Sequence, residues 1–300
     1  MTTVLDRPRR SAEPTPGSKA RRRYGERASI AYLFLSPWAA GMVLLTLGPM
    51  VWLLYLSFTD YDLFTEPEWV GFDNYVRMLT VDPHFWNAVG ATSKFVLISV
   101  PVQLVAALGV ALLINRRSRA QGFYRSAFYA PSLLGASVSV ALVWRVIFHD
   151  WIGQPDRALL ALVLLAVWQF GAPMVIFLAG LQQIPQEYYD AAAVDGAGPW
   201  RSFLRITIPM LSPVIFFNLV LDTIRAFQVF TGAYVVSNGT GGPSDSTLFY
   251  TLYLYEKGFV EFKMGYASAM SWFLLVVIAL ITALLFRTAR GWVFYSGDDS

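Results

Sequence analysis

The chain predicts an all-α integral membrane protein with six transmembrane helices, and three observations carry that prediction. Only 14% of its 300 residues are charged while 56% are hydrophobic, about half the charged share that wraps an ordinary soluble domain. Its mean hydropathy is +0.48. Six apolar runs are long enough for a bilayer core, which takes about 20 residues of helix. The composition excludes a disordered chain, and the absence of cysteine excludes a disulfide scaffold or a Cys-ligated zinc module.

Residues 1–27 form a basic tail punctuated by Pro8, Pro14 and Pro16. The expected role is to set topology and touch anionic membrane lipid, with no nucleic acid as partner. The apolar run after it is about twice the usual length of a signal-peptide core, so it reads as an anchor. The membrane domain is expected over residues 28–290, with a short cytoplasmic tail at 291–300. The first span, Ala28 to Thr59, has no Asp, Glu, Lys, Arg or His, and the second, Phe85 to Asn115, has only Lys94. The third, Phe123 to Phe148, carries Arg125 and Arg145 near its ends, where long side chains reach the interface. The fourth is Ala158 to Leu181, the fifth Leu211 to Val236 with Asp222 and Arg225 inside it, and the sixth Met264 to Phe286.

Charge orients the spans. With an even number of crossings, one side holds both termini and 16 of the 23 Lys and Arg. By the positive-inside rule that side is cytoplasmic. The acidic residues Asp60, Asp62, Glu66, Glu68, Asp73 and Asp82 gather on the other side.

The loop at 182–209 stands apart from the others. Pro185, Glu187 and Asp190 suit the first turn of a short helix, and Ala191 to Ala193 propagate it. Gly196 and Gly198 before Pro199 supply a left-handed cap. Residues Trp200 to Ile206 read as a second short helix ending at Pro209, where span five begins. The small residues Ala191, Ala192 and Gly196 permit close approach by another surface.

In this loop Asp190-Ala191-Ala192, then Gly196, then Ile206-Thr207-Ile208-Pro209 resembles the EAA motif of ABC importer permeases, with Asp for Glu at 190 and Ile for Leu at 208. Weaker marks follow in the family's order. They are Gly71-Phe72-Asp73-Asn74-Tyr75, Arg125 through Pro131, Gly241-Gly242-Pro243 and Gly265-Tyr266-Ala267-Ser268-Ala269. Together they are similar to the carbohydrate-uptake permeases of the maltose and glycerol-phosphate type, over residues 28 to 290. The resemblance implies a type I ABC importer permease fold and an ATP-driven importer of a sugar or oligosaccharide. A glycerol-phosphate or polyol importer, or a channel or scaffold subunit outside the ABC class, are the alternatives. It implies that the loop is a coupling helix seated in an ATPase, with Asp190, Ala191, Ala192 and Gly196 in contact and Glu187, Arg201 and Arg205 as polar partners. The implied partners are a cytoplasmic ATPase dimer, a second and different permease chain, and an extracytoplasmic solute-binding protein. The outer link His149 to Arg157 is shorter than the family's usual segment, which implies an outer gate built differently or a register shift of span four.

The chain has no G-x-x-x-x-G-K-[ST], so it is not expected to hydrolyse ATP. No H-E-x-x-H or G-x-S-x-G occurs either, and no cofactor, metal or catalytic residue is expected. Ionisable residues within a span are costly and point to function. Asp222, Arg225 and Gln228, with Asn218, make a polar stripe that is either a sugar site or an internal Asp–Arg pair locking helices together. Gln103, Gln169 and the rings of Trp144 and Trp168 are further candidates for the substrate path, because amides bond sugar hydroxyls and sugars stack on aromatics.

Overall fold

A computed structural model describes residues 20–115, 120–135 and 137–294. The tail residues 1–19, the loop residues Arg116, Arg117 and Arg119, and residues 295–300 lie outside the described residues. The chain divides into two compact units, up to Leu53 and from Leu54 onward.

The first unit is helical from Ala20. Helix α1 (Ala20–Gly41) passes through a π-helical stretch, Met42–Leu47, into α2 (Gly48–Leu56). The wide turn falls just ahead of Pro49, which has no backbone N–H to give to an α-helical ladder. Phe34 and Leu45 are each 80% exposed, as a lipid-facing helix requires.

The second unit opens with two short antiparallel strands, β1 (Thr59–Asp60) and β2 (Glu68–Trp69), and α3 (Asp73–Thr80). The Asn74 amide donates to the carbonyls of Ser57 (3.1 Å) and Thr59 (2.9 Å), fixing α3 against the strand. Helix α4 (Pro83–Ile114) is the central element, with Phe85, Phe95 and Val100 buried along it.

Two expected spans are broken. In place of one helix over 123–148 there are α5 (Gln121–Leu134) and α6 (Val138–Ile147), bent by 95°. Pro131 removes a donor in the last turn of α5, and Ser137 caps α6 by accepting from the Val140 N–H. After the one-turn α7 (His149–Ile152), the fourth span is α8 (Pro155–Trp168) and α9 (Gly171–Gln183), bent by 45°. Gly171 sits where a Cβ would lie 2.8 Å from the Tyr129 Cα, so the two broken helices meet backbone to backbone.

Helix α10 (Gln186–Val194) is followed by α11 (Pro199–Ser202), a π-helical turn at Phe203–Thr207 and α12 (Ile208–Phe227). Here the expectation of a break at Pro209 is corrected. Residues Pro199–Phe227 form one continuous 29-residue helix, because the π turn absorbs the missing proline N–H. The expected fifth span also ends early: α13 (Thr231–Ser237) is a separate helix. Helices α14 (Tyr250–Tyr255) and α15 (Met264–Ala289) complete the chain. Among the described residues, four helices are long and apolar enough to cross a membrane, or up to six if each bent pair is one span.

One carboxylate joins three of these helices. Asp82 caps α4 by accepting from the N–H groups of His84 (3.1 Å) and Phe85 (3.3 Å). Its other oxygen accepts from the hydroxyls of Tyr253 on α14 (2.5 Å) and Tyr266 on α15 (2.6 Å). Burial pushes the Asp82 carboxyl up, but these bonds and the Lys257 charge outweigh it and hold it below its ordinary 3.8. A carboxyl lowered by folding stabilises above its unfolded pKa, and that contribution fades as pH falls through the folded value. Asp82→Ala is therefore expected to lower the melting temperature in detergent at pH 7 by several degrees. The wild-type advantage is expected to shrink below about pH 4. Equal melting curves at pH 7 would refute this role.

Candidate functional site

Two places collect the residues of interest. The first is a cavity of about 210 Å³, lined by both polar and apolar side chains, between α4, α5, the α8–α9 break and α12. Ser99 and Gln103 face it from α4, Ser132 from α5, Gln169 from the break, and Asp222 and Arg225 from α12. Of the predicted path residues, the fold brings Gln103, Gln169, Asp222 and Arg225 together. The other three lie elsewhere. The Asn218 amide donates to the Val214 carbonyl of its own helix (3.0 Å) and is buried there. Gln228 faces a different groove, with Ser271 and Leu274 of α15. The Trp144 indole N–H donates to the Ala161 carbonyl (2.9 Å), and its ring packs on Phe148 and Trp168.

The charged pair is asymmetric. The Asp222 side chain is 3% exposed and that of Arg225 is 64% exposed, with Asp222 Oδ1 3.7 Å from Arg225 Nη1. Asp222 Oδ2 has no hydrogen-bond partner among the described residues. The carboxylate is thus buried while the guanidinium beside it is largely exposed, and both line the cavity. The Gln169 amide donates to the Leu165 carbonyl (3.2 Å), which leaves its oxygen free to accept. The surroundings offer donors and acceptors in mixed order, which suits a polyhydroxylated ligand.

Sequence reasoning missed Ser99 and Ser132. Ser99 lies one helical turn before Gln103, a spacing that places both on one face. Ser132 gave no such signal, since only the bend of α5 against α9 brings it to the cavity.

The second place is the 182–209 segment. Helix α10 has no buried residue. Its half-buried positions are Tyr189 and Ala192, while Glu187, Asp190 and Ala191 are exposed. Its end is a Schellman cap: the Ala197 N–H donates to the Ala192 carbonyl (2.8 Å) and the Gly196 N–H to the Ala193 carbonyl (3.1 Å), with Gly196 at φ +72°. Gly198, expected to share in the left-handed cap, instead has φ −70° and caps α11. Val194 (88% exposed) and Trp200 (70% exposed) stand beside Gly196 in sequence, and Arg201 and Arg205 are exposed on the continuous helix that follows.

The family model for the binding-protein-dependent transport system inner membrane component matches residues 85–291. The chain belongs to this family. The permease is 46% identical over 286 residues to the probable ABC transporter permease protein YesP of Bacillus subtilis, with 89% of this chain and 93% of that protein covered. It is 33% identical to the sulfoquinovosyl glycerol transport system permease protein SmoG of Agrobacterium fabrum, with 87% and 90% covered. The permease also shares its fold with a chain of a bacterial ABC transporter that imports the acidic polysaccharide alginate. The TM-score there is 0.71 at 20% identity, over 91% of this chain and 99% of that one. It is thus an inner-membrane permease component of an ABC importer. The short link between α6 and α8 leaves that fold intact.

Proposed function

We propose that this permease carries a sugar or oligosaccharide from a solute-binding protein through the cavity, driven by an ATPase that docks on 182–209. Helix α10 carries the reading. A helix with no buried residue, a rigid cap and exposed Val194 and Trp200 at its end is a surface built for a partner. That face is cytoplasmic in this reading, as are both termini, in keeping with the sorting of Lys and Arg. Glu187, Asp190, Ala191, Ala192, Gly196, Arg201 and Arg205 form the docking surface. The chain lacks a phosphate-binding loop for ATP, so hydrolysis belongs to the partner, and a second, different permease chain completes the pore.

The cargo class rests on the cavity and on the relatives. Two amides and two hydroxyls match sugar hydroxyls, and further relatives are a lactose transport system permease protein and an arabinooligosaccharides transport system permease protein. A phosphate-bearing cargo would need more cation than Arg225, whose charge Asp222 already balances.

Proteoliposomes holding the permease, its partner permease and the ATPase are expected to accumulate labelled oligosaccharide only when ATP is inside and the binding protein outside. Flux of the same size without ATP would replace this reading with a channel.

A further inference from the structure

We infer that Tyr189 and Thr207 form the strut that passes movement of α10 into α12, and that they set how much cargo moves per ATP. Helix α10 joins the bundle through the chain at its two ends, Pro185 to α9 and residues 195–198 to α11. Among the described residues it adds one long-range side-chain bond, between the Tyr189 hydroxyl and Thr207 Oγ1 at 2.9 Å. Thr207 is 4% exposed at the end of the π turn, where α12 begins. From there α12 runs unbroken to Asp222, a rise of about 22 Å over 15 residues.

The two ends of α10 do not carry a push equally. In residues 195–198 the cap bonds tie Gly196 and Ala197 back to α10 and Gly198 accepts from the Ser202 N–H of α11, so the joint between the two helices is the single link from Ala197 to Gly198. Tyr189 bypasses that joint. It lies in the middle of α10, half-buried, and ties the helix to the first buried residue beyond the loop and α11. With the bond intact, a displacement of α10 moves the start of α12 with it. Without it, the loop takes up part of the displacement, and less reaches Asp222 and Arg225. Tyr189 is a positioning residue: its ring faces the bundle, away from the exposed docking positions Glu187, Asp190 and Ala191.

This inference rests on 182–209 being the ATPase-docking loop, so its test reads assembly, hydrolysis and transport separately. Tyr189→Phe and Thr207→Val are each placed in the full transporter with ATPase, second permease and binding protein. ATPase co-purification and ATP hydrolysis are expected within two-fold of wild type. Cargo moved per ATP is expected to fall about five-fold, the factor that goes with one neutral hydrogen bond. The double variant is expected to be no worse than either single one, because both remove the same bond. An unchanged ratio, or losses that multiply in the double variant, would overturn the strut. If the wild-type ATPase assembles equally well on a chain with Ala191→Trp and Ala192→Trp, the docking reading itself has failed instead. The chain has no cysteine, so a Tyr189→Cys, Thr207→Cys pair supplies a further check free of background. Bridging the pair with a reducible bis-thiol reagent about as long as the tyrosine side chain is expected to retain transport, and complete loss with the link in place and recovery on reduction would overturn the strut.

Discussion

Gly196→Trp is expected to abolish co-purification of the ATPase, at least ten-fold below wild type, while the permease still inserts and keeps its cavity. Two effects act at this position and a second substitution separates them. Gly196 lies at φ +72°, where an ordinary L-residue costs about 1–2 kcal/mol and asparagine costs less. A Cβ at this position meets no atom within 4 Å, so the indole is expected to project outward into the space that the proposed ATPase partner would occupy. Gly196→Asn keeps the left-handed cap and adds little bulk, so it is expected to retain ATPase binding within about two-fold. If both variants bind the ATPase normally, the docking surface lies elsewhere on the chain. If both fail, the cap rather than the open space is what the partner needs.

The second large effect concerns the charged pair in the cavity. Arg225→Gln strips the carboxylate of Asp222 of its counter-ion. Breaking a fully buried pair costs about 3–5 kcal/mol. The Arg225 side chain is 64% exposed rather than buried, so the expected loss is smaller, about 2 kcal/mol. That is a drop of several degrees in melting temperature for a detergent-solubilised chain. Asp222→Asn together with Arg225→Gln removes both charges at nearly constant shape and is expected to restore stability. Transport is the deciding measurement. If the guanidinium meets cargo, the double variant stays at least ten-fold below wild type although it is as stable. Full recovery of uptake would make the pair a helix lock and nothing more.

The polar stripe Asn218, Asp222, Arg225 and Gln228 illustrates what could be read in advance. That it was polar within a span was visible, and it singled out α12. Which of the four shared one cavity was not. Asn218 bonds its own helix and Gln228 turns to α15, while Asp222 and Arg225 face α4 and the α8–α9 break. Trp144 shows the same limit from the other direction. An aromatic ring within a span suits a sugar equally well as a neighbouring helix, and here its N–H is taken by the Ala161 carbonyl.

The broken helices had partial warning. Pro131, and the Gly135 and Gly171 positions, were present in runs that length and hydropathy alone join into single spans. Proline and glycine are tolerated within membrane helices when neighbours re-satisfy the backbone, so their presence does not by itself locate a bend. The close backbone approach at Gly171 to Tyr129 does. The continuous helix through Pro209 is the reverse case. A local rule called for a break, and a π turn removed the need.

By itself, the sequence determined the membrane class, the number of apolar runs, the sorting of charge and the capped helix α10. Each of these is set by chain-local physics: desolvation of 20-residue runs, or hydrogen bonds between residues at most five apart. Tertiary structure decided the bends, the gathering of Ser99, Gln103, Ser132 and Gln169 around Asp222 and Arg225, and the bond from Tyr189 to Thr207. The reason is the solvent. In a bilayer the outside of a helix is as apolar as its core, so the pattern along the chain says that a segment spans without saying which side faces inward. That choice is made by how the helices pack.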